Sequence, residues 1–176
     1  MLHCDATIRN VRFINLLLVE NNQHVAVDRI DRRILDVLQR EAALPVAELA
    51  ARIGLSTTTC WRRIQALEQS GVIRGRVAVL DRAALGLDVT IFAHVKLSTQ
   101  GRDAIAAFAE AIRGRPEVLD CYTTMGEWDF MLRIVTRDIK AYEAFYLDHL
   151  SKLPFVQSIN SSVTVTVIKE TTVLPL

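Results

Sequence analysis

The spacing of apolar residues changes between residues 80 and 90, and this change constrains the fold more than any other feature. From 28 to 70, apolar residues recur at intervals of three and four, as on one face of an α-helix. After 89 they form short or alternating runs, as in strands, with two helical segments between them. A chain of 176 residues has room for two small units of this kind. We therefore expect an α+β protein.

Three helices are expected in the N-terminal unit. The inner face of the first carries Ile30, Ile34, Val37 and Leu38, and Asp28 is placed to cap it. Pro45 suits the start of a second helix that stops at Gly54. Ser56 is an N-cap for a third helix, from about Thr57 to Gln69. Two helices joined by a tight glycine-containing turn, supported by a first helix, predict a helix-turn-helix.

The third helix carries the most informative side chains. Cys60, Ile64 and Leu67 form its inner stripe. The outward positions are then Thr57, Thr58, Trp61, Arg62 and Gln65. In a recognition helix, arginine can read guanine, glutamine can read adenine, and threonine methyls can touch thymine. Arg63, Arg74 and Arg76 are expected to contact phosphates, which fix register without reading sequence.

A wing is expected after the third helix. Val72-Ile73 and Val77-Ala78-Val79-Leu80 read as two short strands around the turn Arg74-Gly75-Arg76. Together with the helices this predicts a winged helix-turn-helix domain over 27–80. Residues 1–26 show no strong period and are expected to be an extension of unknown role.

Charge is distributed unevenly along the chain. The whole chain has a net charge of +1, but residues 28–80 hold nine arginines against six carboxylates. Residues 81–176 hold ten basic and twelve acidic residues, including all four lysines. Such asymmetry favours a nucleic-acid partner for the first part. A solvated arginine face on a small helical bundle is the alternative.

The second unit, 89–176, follows a linker over 81–88 and has the order β, α, β, β, α, β. Strands are expected at Thr90–Leu97, Val118–Met125, Trp128–Val135 and Ser161–Lys169. Helices are expected at Arg102–Ile112 and from Asp138 through Leu150. This order predicts a ferredoxin-like βαββαβ sheet with both helices on one face.

The turn between the middle strands combines a glycine, two carboxylates and an indole in Met125-Gly126-Glu127-Trp128-Asp129. Glycine allows close backbone approach to a ligand, and a carboxylate can hold an ammonium group. This loop could bind an amino acid, with hydroxyls for its carboxylate offered by Thr123, Thr124, Ser161 or Ser162. A polar hairpin turn with a packed Trp128 is the alternative.

No catalytic or metal-binding constellation emerges from the sequence. Cys4, Cys60 and Cys121 suit neither a disulfide framework nor a zinc site, and a reducing cytosol is the default. Cys60 and Cys121 are expected in the core. No His pair has ligand spacing, and no glycine-rich phosphate motif is present. The apolar run 16–19 is too short for a membrane span. We therefore expect no enzyme activity, no cofactor, no metal and no membrane partner.

The sequence resembles the Lrp/AsnC family of feast/famine regulators. The resemblance covers about 28 to 176. The matching stretches are Ile30 to Leu35, Glu48 to Ala50, Gly54 to Ser56, Trp61 to Glu68, Gly71 to Ile73, Leu85-Gly86, and Gly126 with Trp128-Asp129.

The resemblance implies a cytoplasmic, nucleoid-associated regulator that binds double-stranded DNA and an amino-acid effector. It implies homodimers, paired through their sheets, that assemble into tetramers or octamers. The resemblance and the residue chemistry above together give the DNA-binding candidates Ser56, Thr57, Thr58, Thr59, Trp61, Arg62, Arg63, Gln65, Arg74 and Arg76. In the same way the effector candidates are Thr123, Thr124, Met125, Gly126, Glu127, Trp128, Asp129 and Ser161.

The run 57–63 and the tail 168–176 are similar to the cysteine-responsive branch, which suggests L-cysteine as effector. Thr57 stands where many relatives have proline, so the family's base specificity is not carried over to this chain. Two alternatives stay open: a small ferredoxin-like enzyme or ligand-binding protein with a helical appendage, and a regulator that binds DNA without any effector.

Overall fold

The computed structural model describes residues 26–99 and 101–176, so nearly all of the expected extension 1–26 lies outside it. The described chain divides into two compact units. The helical unit comprises 26–79 with the tail 168–176, and the sheet unit comprises 80–167. Among the described residues no helix is long and apolar enough to cross a bilayer.

The helical unit contains the three predicted helices, α1 (Arg29–Leu38), α2 (Val46–Ile53) and α3 (Thr57–Gln69). Asp28 caps α1 and Ser56 caps α3, both as predicted. Gly54 ends α2 in the left-handed conformation, with φ of 73°, which a residue with a side chain rarely adopts. The turn between α2 and α3 is therefore set by one glycine and one serine.

A single apolar cluster holds these helices together. Ile34 of α1, Leu49 of α2 and Cys60 of α3 are fully buried in it, and Ile64 and Leu67 are nearly so. The predicted inner stripe of α3 is confirmed. Cys60 is therefore a core side chain, as predicted, and its burial raises the pKa of the thiol.

The two short strands expected for a wing do not form. Residues 70–88 are all described and contain no strand, only a short 3-10 helix at Ala83–Leu85. The Ile73 N–H donates to the Leu67 carbonyl at 3.0 Å, which ties the expected first strand to the end of α3. Val77 and Val79 are exposed, and no strand in the described part of the chain pairs with them.

The sheet unit has the predicted ferredoxin-like order. Its elements are β1 (Val89–Leu97), α4 (Arg102–Arg113), β2 (Val118–Thr123), β3 (Phe130–Thr136), α5 (Ile139–Phe145) and β4 (Val156–Val163). The last helical segment extends to Leu150, as expected, but its final part, Tyr146–Leu150, is a π-helical turn rather than α-helix. The strands lie in the order β2-β3-β1-β4, and every neighbouring pair is antiparallel.

Alternating side chains place the helices on one face of this sheet, as predicted. The buried cluster combines alternate residues of β1 and β3, such as Ala93 and Leu132, with Phe108 of α4 and Phe145 of α5. The ring centroids of Phe108 and Phe130 are 4.3 Å apart. The other face carries half-buried Phe92, His94 and Met131, which do not belong to the cluster that α4 and α5 cover.

Two strand predictions were wrong. The last strand is Val156–Val163 rather than 161–169, because its ladder with β1 pairs Val95 with Ile159 and ends at Ile91 with Val163. Residues 164–169 alternate in sequence but lie beyond that ladder. The middle hairpin also has a longer loop than expected, since β2 ends at Thr123 and β3 begins at Phe130.

The C-terminal tail makes a paired contact within the helical unit. The side-chain amide of Gln39 donates to the Leu174 carbonyl at 3.0 Å and accepts from the Leu174 N–H at 2.8 Å. An amide side chain thus pairs with a peptide group as a neighbouring strand would.

Candidate nucleic-acid interface and effector loop

The N-terminal half of α3 presents polar side chains to solvent over a buried stripe. Thr57, Thr58 and Arg62 are exposed, and 54% of Trp61 is accessible. The Ser56 hydroxyl accepts the Thr59 N–H at 3.3 Å and donates to the Thr59 hydroxyl at 2.8 Å. Ser56 and Thr59 therefore bond to each other at the start of the helix. The exposed residues Thr57, Thr58, Trp61 and Arg62 are available to a partner.

The arginines of this unit differ in their bonding. Within the described residues, Arg62 and Arg74 are exposed and form no hydrogen bond or ion pair. Arg76 pairs with Glu68 at 3.1 Å, and Gln65 donates to the same carboxylate at 3.0 Å. On binding DNA, Gln65 and Arg76 would have to give up their contacts with Glu68, whereas Arg62 and Arg74 would lose only bound water.

Arg63 pairs with two carboxylates of another helix, α1. Its Nη1 donates to Asp28 Oδ2 at 2.7 Å and to Asp31 Oδ1 at 2.8 Å, at the N-terminus of α1. Asp28 and Asp31 also cap each other's backbone N–H groups. The Asp31 N–H and the Arg63 guanidinium hold the pKa of the Asp28 carboxyl below its usual value.

Further arginines of the same unit were not singled out by the sequence reasoning. Arg29, Arg32 and Arg33 on α1 are exposed and have no ion pair within the described part of the chain. The count of nine arginines was the signal that could have found them. They add positive charge to the unit that carries α3, which favours association with a polyanion.

The loop between β2 and β3 holds its shape with its own polar groups. The Thr124 hydroxyl donates to the Trp128 carbonyl at 2.6 Å, and the Thr124 N–H donates to the Asp129 carbonyl at 2.9 Å. Gly126 lies between them with φ of 137°, a conformation that favours glycine. Met125, Gly126 and Glu127 are exposed at the tip.

Asp129 ties this loop to the neighbouring strand. Its carboxylate accepts the Leu97 N–H at 2.7 Å and lies 3.7 Å from the Lys96 ammonium. Its own N–H donates to the Val95 carbonyl at 3.0 Å. The side chain is only 16% exposed. Asp129 therefore fixes the loop on β1, and Glu127 is the exposed carboxylate.

The remaining effector candidates are spread over the sheet. Thr123 ends β2, and Trp128 lies 6.1 Å from His94 between ring centroids. Ser161 lies in β4, on the other side of β1 from the loop, and its hydroxyl is hydrogen-bonded to Tyr142. One chain thus brings 124–129 together but leaves Ser161 apart.

Cys121 lies in the core, as predicted. Burial raises the pKa of its thiol to about 12, so the thiolate that reactive chemistry needs does not form at neutral pH.

Comparison with known proteins identifies both units. Residues 27–74 match the family model described as winged helix-turn-helix DNA-binding, and residues 90–174 match the Lrp/AsnC ligand binding domain. The DNA-binding transcriptional activator DecR of Escherichia coli K12 is 35% identical over 150 residues, covering 85% of this chain and 99% of DecR.

Two solved structures have the same fold. An AsnC family transcriptional regulator from Agrobacterium tumefaciens has a TM-score of 0.81 and 42% identity, over 84% of this chain and 96% of that one. A transcriptional regulator of Neisseria meningitidis, in complex with L-Met, has a TM-score of 0.80 and 37% identity over the same shares. These relatives are regulators and not enzymes. This chain, with its helix-turn-helix and its ligand-binding domain, belongs to the Lrp/AsnC family of transcriptional regulators.

Proposed function

We propose that this protein regulates transcription by placing the N-terminal half of α3 in the major groove of DNA, under the control of an amino-acid effector. The observation that carries the proposal is the division of α3 into a buried stripe and an exposed face of Thr57, Thr58, Trp61 and Arg62. The N-terminal end of a recognition helix meets base edges, and its dipole favours nearby phosphates.

The bonding of each side chain suggests its role on DNA. Arg62 has no internal partner in the described chain and can take guanine O6 and N7, the commonest specific contact. Gln65 would leave Glu68 to read adenine. Arg74 and Arg76 are placed after the helix and would contact phosphates, which carry no sequence information.

The effector is proposed to bind at the loop 124–129. The L-Met complex of the Neisseria regulator supports an amino acid as ligand. The exposed Glu127 carboxylate and the backbone around Gly126 could hold its ammonium and carboxylate groups. L-cysteine is the first candidate, from the likeness of 57–63 and 168–176 to the cysteine-responsive branch.

The protein is proposed to act as a homodimer that assembles further into tetramers or octamers. The sheet face opposite α4 and α5 supports this, because Phe92, His94 and Met131 lie on it and neither of these two helices covers them. A dimer would present two recognition helices to successive major grooves, about 10 base pairs apart. Effector and DNA binding would then be linked reciprocally through the oligomeric state. Such a regulator works in the cytoplasm, at the nucleoid.

Fluorescence anisotropy of the full chain with DNA flanking its own gene tests the proposal. The titration is run at two salt concentrations, without effector, with L-cysteine, and with each other amino acid. We expect saturable binding that exceeds binding to a scrambled duplex and shifts with one amino acid.

Three other results have distinct meanings. Specific binding that no amino acid shifts would leave a regulator without an effector. A shift with an amino acid other than cysteine would reject the cysteine assignment alone. Equal affinity for the specific and scrambled duplexes under every condition would refute the recognition-helix proposal.

A further inference from the structure

We propose that Arg63 is a positioning residue, which locks α3 onto the N-terminus of α1 through Asp28 and Asp31 and so orients the DNA-reading face. The proposal rests on the proposed function above. It replaces the phosphate contact that the sequence suggested for this arginine.

All four carboxylate oxygens of Asp28 and Asp31 accept a hydrogen bond in this contact. Asp28 Oδ1 accepts the Asp31 N–H at 2.8 Å, and Asp31 Oδ2 accepts the Asp28 N–H at 3.2 Å. The second oxygen of each carboxylate accepts Arg63 Nη1, at 2.7 and 2.8 Å. Each carboxylate thus uses one oxygen to begin α1 and the other to hold α3.

The Arg63–Asp31 pair is less exposed than the other ion pairs of the unit, whereas the Asp28 side chain is 50% exposed. The side chains of Arg63 and Asp31 are 29% and 14% exposed. Those of Arg40 and Asp36, a pair within α1 alone, are 56% and 50% exposed. Exposed pairs within one helix contribute little. The Arg63 contact joins positions 32 and 35 residues apart, so it fixes one helix against the other.

Arg63 is also unsuited to a phosphate contact in this arrangement. Two carboxylates face its guanidinium, and a DNA phosphate would have to displace them or lie beside them. Its neighbour Arg62 has no such partner within the described residues. The two adjacent arginines therefore have different roles: Arg62 faces the DNA and Arg63 faces α1.

Two substitutions and their double variant test this assignment, Arg63→Gln by the salt dependence of DNA binding and Asp31→Asn by the sign of its effect on affinity. A positioning contact predicts that Arg63→Gln weakens specific binding about tenfold, with an unchanged slope of log affinity against log salt. It predicts that Asp31→Asn also weakens binding. The double variant should be no worse than the worse single one, because both remove the same contact.

A phosphate contact predicts a different salt slope for Arg63→Gln and the opposite sign for Asp31→Asn. Arg63→Gln would then reduce the salt slope by about 0.9. Asp31→Asn would free Arg63 and remove a negative charge, so affinity would rise. Asp36→Asn is the matched control, since it removes one carboxylate from α1 without touching α3.

Thermal unfolding and circular dichroism of each variant show whether it is folded at the temperature of the titration. A variant that is folded but binds like the wild type would show that the contact stabilises α1 only, and would overturn the proposal. A reduced salt slope, or tighter binding by Asp31→Asn, would overturn it as well. Failure of the wild type to bind any duplex specifically would instead refute the proposed function, and this proposal with it.

Discussion

The exposed half of α3 and the loop 124–129 are both candidate binding surfaces, but their polar side chains are in opposite states. On α3, Thr57, Thr58 and Arg62 are exposed, and their side chains form no hydrogen bond or ion pair with another described side chain. In the loop, the side chains of Thr124 and Asp129 are hydrogen-bonded to backbone groups of the same unit. The exposed tip presents backbone groups and the side chains of Met125 and Glu127.

The difference follows from how each segment keeps its shape. A helix satisfies its own backbone groups, so its outer side chains remain available once its inner face is buried. A loop has no such ladder and must use side chains to satisfy its backbone. The helix therefore offers a complete surface within one chain. The loop offers a rigid edge to which other groups, such as those of a second protomer, have to be added.

Removing the support beneath α3 has the largest expected effect. Ile64→Ala leaves a cavity between the three helices and should cost about 2–5 kcal/mol of unfolding free energy. Urea unfolding followed by Trp61 fluorescence, in a Trp128→Phe background, reports on this unit. Gln69→Ala, on the exposed side of α3, is the control and should stay within about 0.5 kcal/mol. Equal losses in both variants would contradict the buried stripe.

Releasing the loop from β1 has a smaller effect. Asp129→Asn weakens the acceptor for the Leu97 N–H and removes the attraction to Lys96, so we expect a loss of about 1–3 kcal/mol. Trp128 fluorescence in a Trp61→Phe background reports on it. The control Glu127→Gln changes an exposed carboxylate two residues away and should be near neutral. A larger loss for Glu127→Gln would reverse the roles assigned to the two carboxylates.

The acid dependence of the α1 N-terminus is the smallest expected effect. The Asp31 N–H and then Arg63 lower the pKa of Asp28 from its ordinary value of 3.8. A carboxyl with a lowered native pKa stabilises the fold above its ordinary pKa, and this contribution is lost as the pH falls through the native pKa. The difference in urea midpoint between wild type and Asp28→Asn should therefore shrink as the pH falls below about 4. A difference that is constant from neutral to acid pH would exclude this ionisation.

The helical unit was largely predictable because its signals are local. The stripe of Cys60, Ile64 and Leu67 set the register of α3, and Gly54 and Ser56 set the turn before it. The pairing of Arg63 with Asp28 was not predictable, because sequence periodicity does not give the register of one helix against another. Arg62 and Arg63 are adjacent residues of the same type, and they differ in the side of α3 on which they lie: Arg62 faces solvent, and Arg63 faces the N-terminus of α1.

Errors in the sheet unit arose where pairing, not pattern, decides the structure. Val165 and Val167 alternate as well as any strand, yet the ladder with β1 ends at Ile91 and Val163, and beyond it only the Thr164 N–H bonds to β1, at the Thr90 carbonyl. The loop between β2 and β3 spans 124–129, and the bond from the Thr124 N–H to the Asp129 carbonyl closes it, a pairing that the alternating pattern did not show. The site residues showed the same limit: the sequence grouped Ser161 with the loop, and the structure places it beyond β1.

The most direct test of the central claim is the effect of Arg62→Gln on sequence discrimination, measured as the ratio of affinities for the specific and scrambled duplexes. A lost bidentate contact to guanine should lower this ratio about tenfold or more, with little change in non-specific affinity. Arg102→Gln, at an exposed arginine of the sheet unit, should leave the ratio unchanged. An Arg62→Gln variant that is folded and discriminates as the wild type does would contradict the assignment of α3 as the recognition helix.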